Sequence, residues 1–236
     1  MKLSVIVPVF NEAKSVRAVI GRVRGCGVRD LEIIVVDDCS SDGTPEVLRG
    51  LPVDWQVKTL FHERNQGKGA AVRSGQQLVT GDAVVIQDAD LEYSPEELPR
   101  LFKPIEDGLA DVVYGSRYSG REILVDTFWH YLGNKVLTTF SNVLANVHLT
   151  DMETCYKMMR TDVFRPIRIE CNRFGIEPEL TAKLAKMKCR IYEMPISYQA
   201  RQRDQGKKIN WRDGIAAFWY ILKFNLFRRQ PRTPAS

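Results

Sequence analysis

Four segments of the chain, LSVIVPVF (3–10), LEIIVVDD (31–38), DAVVIQDAD (82–90) and DVVYGS (111–116), are nearly continuous runs of apolar, largely β-branched residues. A strand with one wet face alternates apolar and polar residues, so a run without alternation must be covered on both faces. Segments of helical character lie between these runs. Val16, Val19, Ile20 and Val23 recur at helical spacing, and Thr44 with Pro45 reads as a capped helix start. GKGAAVRSGQQLV (67–79) reads as a Gly-led helix, and Ser94 with Pro95 opens another through about Ile105. WQVKTLFH (55–62) is a further strand of weaker pattern. Strands and helices alternating at this rhythm are joined by right-handed crossovers. The expectation is an α/β fold with a mostly parallel central sheet, flanking helices, and ligands held beyond the strand C-terminal ends.

The second half is less regular: a helix from about Phe128 to Val147, a short strand CYKMMR (155–160), a helix around PELTAKLAKMK (178–188), a strand CRIYEMPISY (189–198) and a final helix. At 236 residues, 44% hydrophobic, the chain can bury one ordinary core. The expected organisation is a domain over 1–200 with an appendage over 201–236, a basic loop and a helix that do not form an independent domain. The net charge of +5 is uneven, since Arg190 to Ser236 carries +7 and everything before it −2. The basic end is therefore the candidate anion-facing or membrane-facing region. Five widely spaced cysteines without a CxxC pair, and three histidines, suggest a reduced cytoplasmic protein without a zinc site. The N-terminus lacks the apolar run of a signal peptide, and no segment reaches the ~20 apolar residues of a membrane-spanning helix.

Acids gather where the strands end: Asn11 and Glu12 after the first, Asp37 and Asp38 after the second, Asp88, Asp90 and Glu92 after the fourth. Three carboxylates at alternate positions repel one another unless a cation sits among them, and carboxylate oxygens suit Mg²⁺ or Mn²⁺. The competing explanation is a solvated turn feeding the cap at Ser94. Pro8 and Asn11 stand where a dinucleotide site needs glycines, so a GxGxxG reading fails. NQGKGAA (65–71) is not a Walker A loop, although Lys68 offers a cation near the sheet edge or is a plain surface lysine.

VIVPVFNE, IIVVDDCSSDGT, NQGKGAAVRSG, DADLEYSP, GSRY and TDMETCYK occur in this order. Together they resemble the family 2 glycosyltransferases of the GT-A fold, and within them the dolichol-phosphate mannose synthases and bacterial polyprenyl-phosphate sugar transferases. The resemblance runs from the first strand to about Tyr198 and on through RQRDQGKKINWRDG (201–214). It implies that Pro8, Val9, Asn11 and Glu12 line a nucleotide pocket, that Asp37 and Asp38 touch base or ribose, and that Asp42 holds its loop. Lys68 would sit near the nucleotide. Asp88 and Asp90, flanking Ala89, match the DxD motif whose metal bridges the diphosphate of a nucleotide sugar. Glu92 stands where several relatives have Gln and is a third candidate ligand.

Transfer to an alcohol needs a base, whereas a lipid phosphate is already ionised and needs only cations to bring it to an anionic donor. Arg201, Arg203, Lys207 and Lys208 around Gly206, with Arg117 in GSRY, are the candidate phosphate-binding cations; a solvated charged loop is the alternative. Asp151, Glu177 and Glu179 resemble positions where inverting relatives carry a catalytic or acceptor-side carboxylate, and either Glu could instead serve the first turn of its helix. The final helix, WRDGIAAFWYILKFNLF (211–227), is apolar on nearly every face, and its ~17 residues reach only ~25 Å. It suits the membrane interface, a place on the sheet or a dimer contact.

The resulting expectation is a metal-dependent inverting glycosyltransferase. It would move a hexose from a GDP-mannose or UDP-glucose type donor to polyprenyl phosphate, peripheral at the inner face of the membrane and without a nucleic-acid partner. Transfer to a sugar hydroxyl is the alternative within the class. A sugar-1-phosphate nucleotidyltransferase would carry glycines in the first loop, and an idle binding domain would have no reason to keep all three acids of DADLE.

Overall fold

The computed structural model describes residues 1–120, 128–199 and 211–227. Seven strands form one sheet: β1 (Leu3–Val9), β2 (Leu31–Asp37), β3 (Lys58–Phe61), β4 (Ala83–Ile86), β5 (Val112–Ser116), β6 (Lys157–Arg160) and β7 (Ile191–Pro195), in the order β3-β2-β1-β4-β6-β5-β7. The pairs β1/β2, β1/β4, β2/β3 and β5/β7 are parallel. β6 runs antiparallel to both of its neighbours, β4 and β5. The helices are α1 (Val16–Arg24), α2 (Thr44–Arg49), α3 (Lys68–Gln76), α4 (Leu98–Glu106), α5 (Phe128–Ala145), α6 (Thr161–Phe164), α7 (Ile176–Lys186) and α8 (Trp211–Leu222), the last continuing as a π-helical turn over Lys223–Phe227.

The expected mostly parallel sheet with flanking helices is what forms. Its apolar runs are covered on both sides: Leu3, Val5, Ile6 and Val7 of β1 and Ile34, Val35 and Val36 of β2 have no exposed surface. Each such side chain contributes roughly 1.5–3 kcal/mol of transfer free energy. The helical residues of α1 that face them, Val16, Val19, Ile20 and Val23, are the four singled out by periodicity, and all are buried. One hydrophobic cluster links these residues to β4, β5, β6 and α4, while Cys171, Ala182 and Phe224 form a small second cluster under α8.

Three local expectations change. Trp55 is not in β3 but in a 3₁₀ turn, Val53–Trp55, because Gln56 takes a left-handed conformation (φ 52°) that breaks the strand before Lys58. There its ring stacks under the guanidinium groups of Arg17 and Arg24, 5.7 and 5.4 Å away. Thr44 is the first residue of α2 rather than its cap, a place taken by Gly43 at φ 89°. The final helix is neither wholly free nor wholly packed. Ala217, Ile221 and Phe224 are buried, whereas Ile215, Trp219, Leu226 and Phe227 are more than half exposed.

The glycines of the GKG stretch have a steric purpose. Gly67 has φ 98°, and a Cβ on Gly69 would run into the backbone carbonyl of Cys171. Both let the start of α3 lie directly on the chain at 171–173, where Asn172 O accepts from Ala70 N at 3.1 Å. At the other end of the sheet, Glu32 joins four segments: Ser4 Oγ (2.6 Å), Lys58 Nζ (2.5 Å) and Thr80 N and Oγ1 (2.9 and 2.8 Å) all donate to it. Burial works to raise this carboxyl, but the Lys58, Ser4 and Thr80 hydrogen bonds overcome it and hold it at about 2.

Gly69→Ala should therefore destabilise the protein by ~1–3 kcal/mol in urea unfolding, the usual range for overpacking. Gly133→Ala, in α5 with nothing within 4 Å of its Cβ, should be neutral or stabilise by up to ~1 kcal/mol. Because the folded-state value of Glu32 lies below its unfolded value, its contribution is present above pH ~4 and lost as pH falls toward 2. The stability gap between wild type and Glu32→Gln in denaturant titrations should thus close on acidification, and a pH-independent gap would refute the assignment.

Candidate active site

The rim beyond the C-terminal ends of β1, β2 and β4 is built by loops that hold one another. After β1, Pro8 is part-buried and Val9 buried, and Val9 O accepts from Asp38 N at 2.8 Å. Asn11 turns the chain at φ 55°. Its N donates to Ser40 Oγ (2.8 Å) and its Oδ1 accepts from Ser41 N (2.9 Å). Glu12 accepts from Ser15 Oγ at 2.6 Å, and its N donates to Thr44 Oγ1 at 2.9 Å. Asp42 Oδ2 accepts from Ala13 N (3.1 Å) while Oδ1 accepts from Thr44 N and Oγ1 (3.1 and 2.5 Å). The β1–α1 and β2–α2 loops are thereby one unit.

Asp37 ends β2, Asp38 follows it, and both are buried. Asp37 Oδ1 accepts from Ser40 Oγ at 2.5 Å. Asp38 is committed to the next loop: Gln66 N (2.9 Å), Gly67 N (2.6 Å) and Asn65 Nδ2 (2.9 Å) donate to it, and His62 Nδ1 lies 2.7 Å away. This grip fixes the approach to Lys68, the first residue of α3. The Lys68 ammonium lies 2.9 Å from Asp88 Oδ1 and 2.9 Å from Glu177 Oε1, joining α3, the end of β4 and the start of α7. Burial alone would discharge it, but the charges of Asp88 and Glu177 push its pKa well above the ordinary lysine value. Burial and the same carboxylates raise Cys155, keeping a neutral thiol beside the cluster.

Asp88 is about a quarter exposed, Ala89 is buried, and Asp90 is part-exposed. Asp90 Oδ1 accepts from Glu92 N at 3.1 Å, across Leu91 at φ 64°. A left-handed leucine is strained, and such strain persists where surrounding contacts over-determine the backbone. Here they do: Tyr198 Oη donates to Glu92 Oε2 (2.6 Å) and Gln199 N donates to Glu92 O (2.9 Å). Glu92, expected as a third metal ligand, thus has an oxygen on Tyr198. Among the described residues no three His, Cys, Asp or Glu are gathered for a metal ion. The water-accessible carboxylates of Asp88 and Asp90 nevertheless suit Mg²⁺ or Mn²⁺, which typically take one or two protein carboxylates and fill the other positions with water and substrate phosphate.

On the far side, Arg117 at the end of β5 makes a bidentate pair with the fully buried Asp151, Nε–Oδ2 at 2.6 Å and Nη2–Oδ1 at 2.8 Å. Arg117 N and Asn134 Nδ2 also donate to Asp151, at 3.1 and 3.0 Å. Burial pushes the Asp151 carboxyl up, and Arg117 more than reverses it, leaving the carboxyl below its ordinary value. Asp151, expected as a catalytic or acceptor-side carboxylate, is thus held ionised against Arg117 and poorly placed to accept a proton. Glu177 holds Lys68, and Glu179 accepts from Glu170 N and Cys171 N (2.7 Å each) and from Lys183 Nζ (2.6 Å). Arg201, Arg203, Lys207 and Lys208 lie outside the described residues.

Sequence reasoning passed over Asn134, Glu153, Cys155, Lys157 and Tyr198. Lys157 is 1% exposed, with Nζ donating to the carbonyls of Met152 (2.9 Å) and Thr154. TDMETCYK was recognised as a motif, yet only its Asp was given a role, because nothing in a linear pattern tells a buried charge from an exposed one. The apolar outer face of α5 was also missed. Phe128 and Trp129 are 65% and 76% exposed, and α5 meets α8 through Phe140 and Phe218, ring centroids 5.4 Å apart. A groove of about 350 Å³ between the two helices is lined by residues such as Trp129, Leu132, Val136, Ile215 and Phe218.

Comparison with known proteins agrees with this architecture. An undecaprenyl-phosphate mannosyltransferase of Micrococcus luteus is 30% identical over 96% of this chain and 99% of its own length. A dolichol-phosphate mannosyltransferase of Pyrococcus furiosus is 30% identical over 88% of this chain, and an undecaprenyl-phosphate 4-deoxy-4-formamido-L-arabinose transferase of Aeromonas hydrophila 29% over 87%. The chain spans only 59% and 62% of those two relatives. In structure, glucosyl-3-phosphoglycerate synthase of Mycobacterium tuberculosis, crystallised with Mn²⁺, UDP and glucosyl-3-phosphoglycerate, superposes with a TM-score of 0.71 at 18% identity, covering 95% of this chain and 80% of that one. This likeness identifies the fold as GT-A. Residues 4–168 match the description "Glycosyl transferase family 2", and with this match over more than half its length the chain belongs to that family.

Proposed function

We propose that this glycosyltransferase moves a hexose from a nucleotide diphosphate sugar to polyprenyl phosphate in a single inverting displacement. The observation that carries the reading is the pairing of two opposed sites: water-accessible Asp88 and Asp90 beyond β4, and the Arg117 guanidinium on Asp151 beyond β5. The first suits a cation-bridged diphosphate and the second an anionic acceptor. Named relatives that act on undecaprenyl phosphate or dolichol phosphate support the acceptor class.

Asp88 and Asp90 would hold the divalent ion, which supplies charge neutralisation as the diphosphate leaves. Lys68 holds the Asp88 carboxylate in place. Asn11, Asp37 and Asp42 fix the two loops that would receive the nucleoside, with Pro8, Val9 and Glu12 beneath them, and Asp38 fixes the loop leading to Lys68. Asp151, Glu177 and Glu179, the candidate catalytic or acceptor-side carboxylates, are each held by a cation. That arrangement favours an acceptor already ionised at neutral pH over a sugar hydroxyl. Arg201, Arg203, Lys207 and Lys208 follow Gln199 in the sequence and are the proposed phosphate-binding cations.

No helix of the described residues is long and apolar enough to cross a membrane. The exposed apolar faces of α5 and α8 favour a peripheral position, with these helices lying in the interface where an isoprenoid acceptor is found.

Incubation with labelled nucleotide sugar and polyprenyl phosphate, followed by lipid extraction, should place label in a mild-acid-labile phospholipid; label in a sugar hydroxyl linkage alone would overturn the acceptor. EDTA should stop turnover, and Mg²⁺ or Mn²⁺ should restore it. Asp90→Ala should lower kcat by at least ~100-fold while moving the unfolding midpoint by no more than ~4 °C, about 1 kcal/mol at this size. Co-sedimentation with anionic vesicles should fall ~10-fold in the Trp129→Ser/Trp219→Ser double variant, about 1.4 kcal/mol, and unchanged sedimentation would remove the membrane assignment.

A further inference from the structure

Glu153 has no place in the scheme above, yet it lies within the electrostatic reach of both halves of the site. The charged groups that act on it are Asp151 and Lys157 of its own segment, Arg117 at the end of β5 and Glu177 at the start of α7. Arg117 and Asp151 form the ion pair on the acceptor side, and Glu177 shares Lys68 with Asp88 on the donor side. Its segment runs from Asp151, paired with Arg117, to Cys155, whose Sγ donates to Ile86 O at the end of β4 (3.5 Å), so Glu153 sits midway along a stretch tied to both sides. Its Oε1 is closed off from water and has no hydrogen-bond partner. A buried acceptor left unpaired costs roughly 1–3 kcal/mol, so it persists where something else repays it.

We infer that Glu153 is a specificity-determining residue that binds a hydroxyl of the transferred sugar and restricts the donor to neutral hexoses. This inference rests on the proposed donor reaction. If diphosphate and acceptor phosphate meet across the gap between Asp88 and Arg117, the sugar passing between them lies in that gap, beside Glu153. A hydroxyl supplies the proton that Oε1 lacks. A uronic acid would instead bring a further carboxylate among Asp88, Asp151, Glu153 and Glu177, against the three cations Lys68, Arg117 and Lys157. Burial and the Glu177 charge push the Glu153 carboxyl up to about 7, with Lys157 and Arg117 pulling against them, so near neutral pH it can both donate to and accept from a hydroxyl.

The test compares wild type, Glu153→Gln and Glu153→Ala by calorimetry with GDP-mannose, UDP-glucose, UDP-glucuronate, GDP and UDP, all with Mn²⁺, and by initial rates across pH 5–9. Wild type should bind one of the hexose donors and reject UDP-glucuronate. Glu153→Ala should weaken that donor by roughly 10- to 100-fold, the span of a lost hydrogen bond to a charged group, while leaving the matching nucleoside diphosphate within 2-fold. Glu153→Gln keeps an amide oxygen and the side-chain shape; it should lose less affinity for the hexose donor and gain measurable binding of UDP-glucuronate. Parallel changes in donor and nucleoside diphosphate affinity, or none in either, would assign Glu153 a purely structural role beside Lys157 and overturn the inference. So would a loss of kcat at unchanged KM together with loss of a pH limb near 7, which would mark a proton acceptor. Failure of wild type to bind any nucleotide sugar would overturn the proposed function as well, whereas normal transfer with unaltered donor selectivity in both variants sinks only the role of Glu153.

Discussion

One largely buried ammonium group holds the site together. Lys68 lies 2.9 Å from both Asp88 and Glu177, and the three residues come from α3, the end of β4 and the start of α7. Removing either carboxylate would leave a buried charge half compensated, and removing the lysine would set two carboxylates against each other, changes that typically cost several kcal/mol. The interaction also requires the backbone to be delivered accurately. Asp38 gathers the amides of Gln66 and Gly67, and Gly69 lets α3 rest on the carbonyl of Cys171. The position of Asp88 thus follows from contacts as distant in the sequence as the end of β2 and the start of α7.

The same economy of charge extends across the rim. Each buried acid is matched by a nearby donor: Asp37 by Ser40, Asp151 by Arg117 and Asn134, Glu179 by two backbone amides and Lys183. Asp88 and Asp90 differ in keeping water-accessible surface, and Glu153 differs in keeping a buried oxygen unpaired. A rim that satisfies nearly all of its polar groups internally is rigid before any substrate arrives. Such pre-organisation lowers the ordering cost of binding any ligand there.

Much of this was legible in the residues. Burial on both faces leaves a continuous apolar run, so β1, β2, β4 and β5 announced themselves, and a one-sided helix leaves the spacing of Val16, Val19, Ile20 and Val23. The acids of the site stood where a parallel sheet would put them. The direction of β6 was not legible, because KMMR has the same apolar pattern whichever way the strand runs. Nor was the burial of Asp151, Lys157 and Glu179, since charged residues are ordinarily exposed and only tertiary pairing makes their burial tolerable. Trp55 illustrates the opposite failure: aromatic and near a strand, it was assigned to β3, but a left-handed Gln56 and two arginines hold it elsewhere.

The reversed strand has a geometric consequence. A strand inserted antiparallel between β4 and β5 begins at the edge where its neighbours finish. The residues leading into β6, from Asp151 through Glu153 to Cys155, are consequently brought to the rim by a strand's entrance rather than its exit. An all-parallel arrangement would need another crossover of a dozen or more residues to send one more segment there. By turning one strand around, the chain lines one rim from both kinds of strand end.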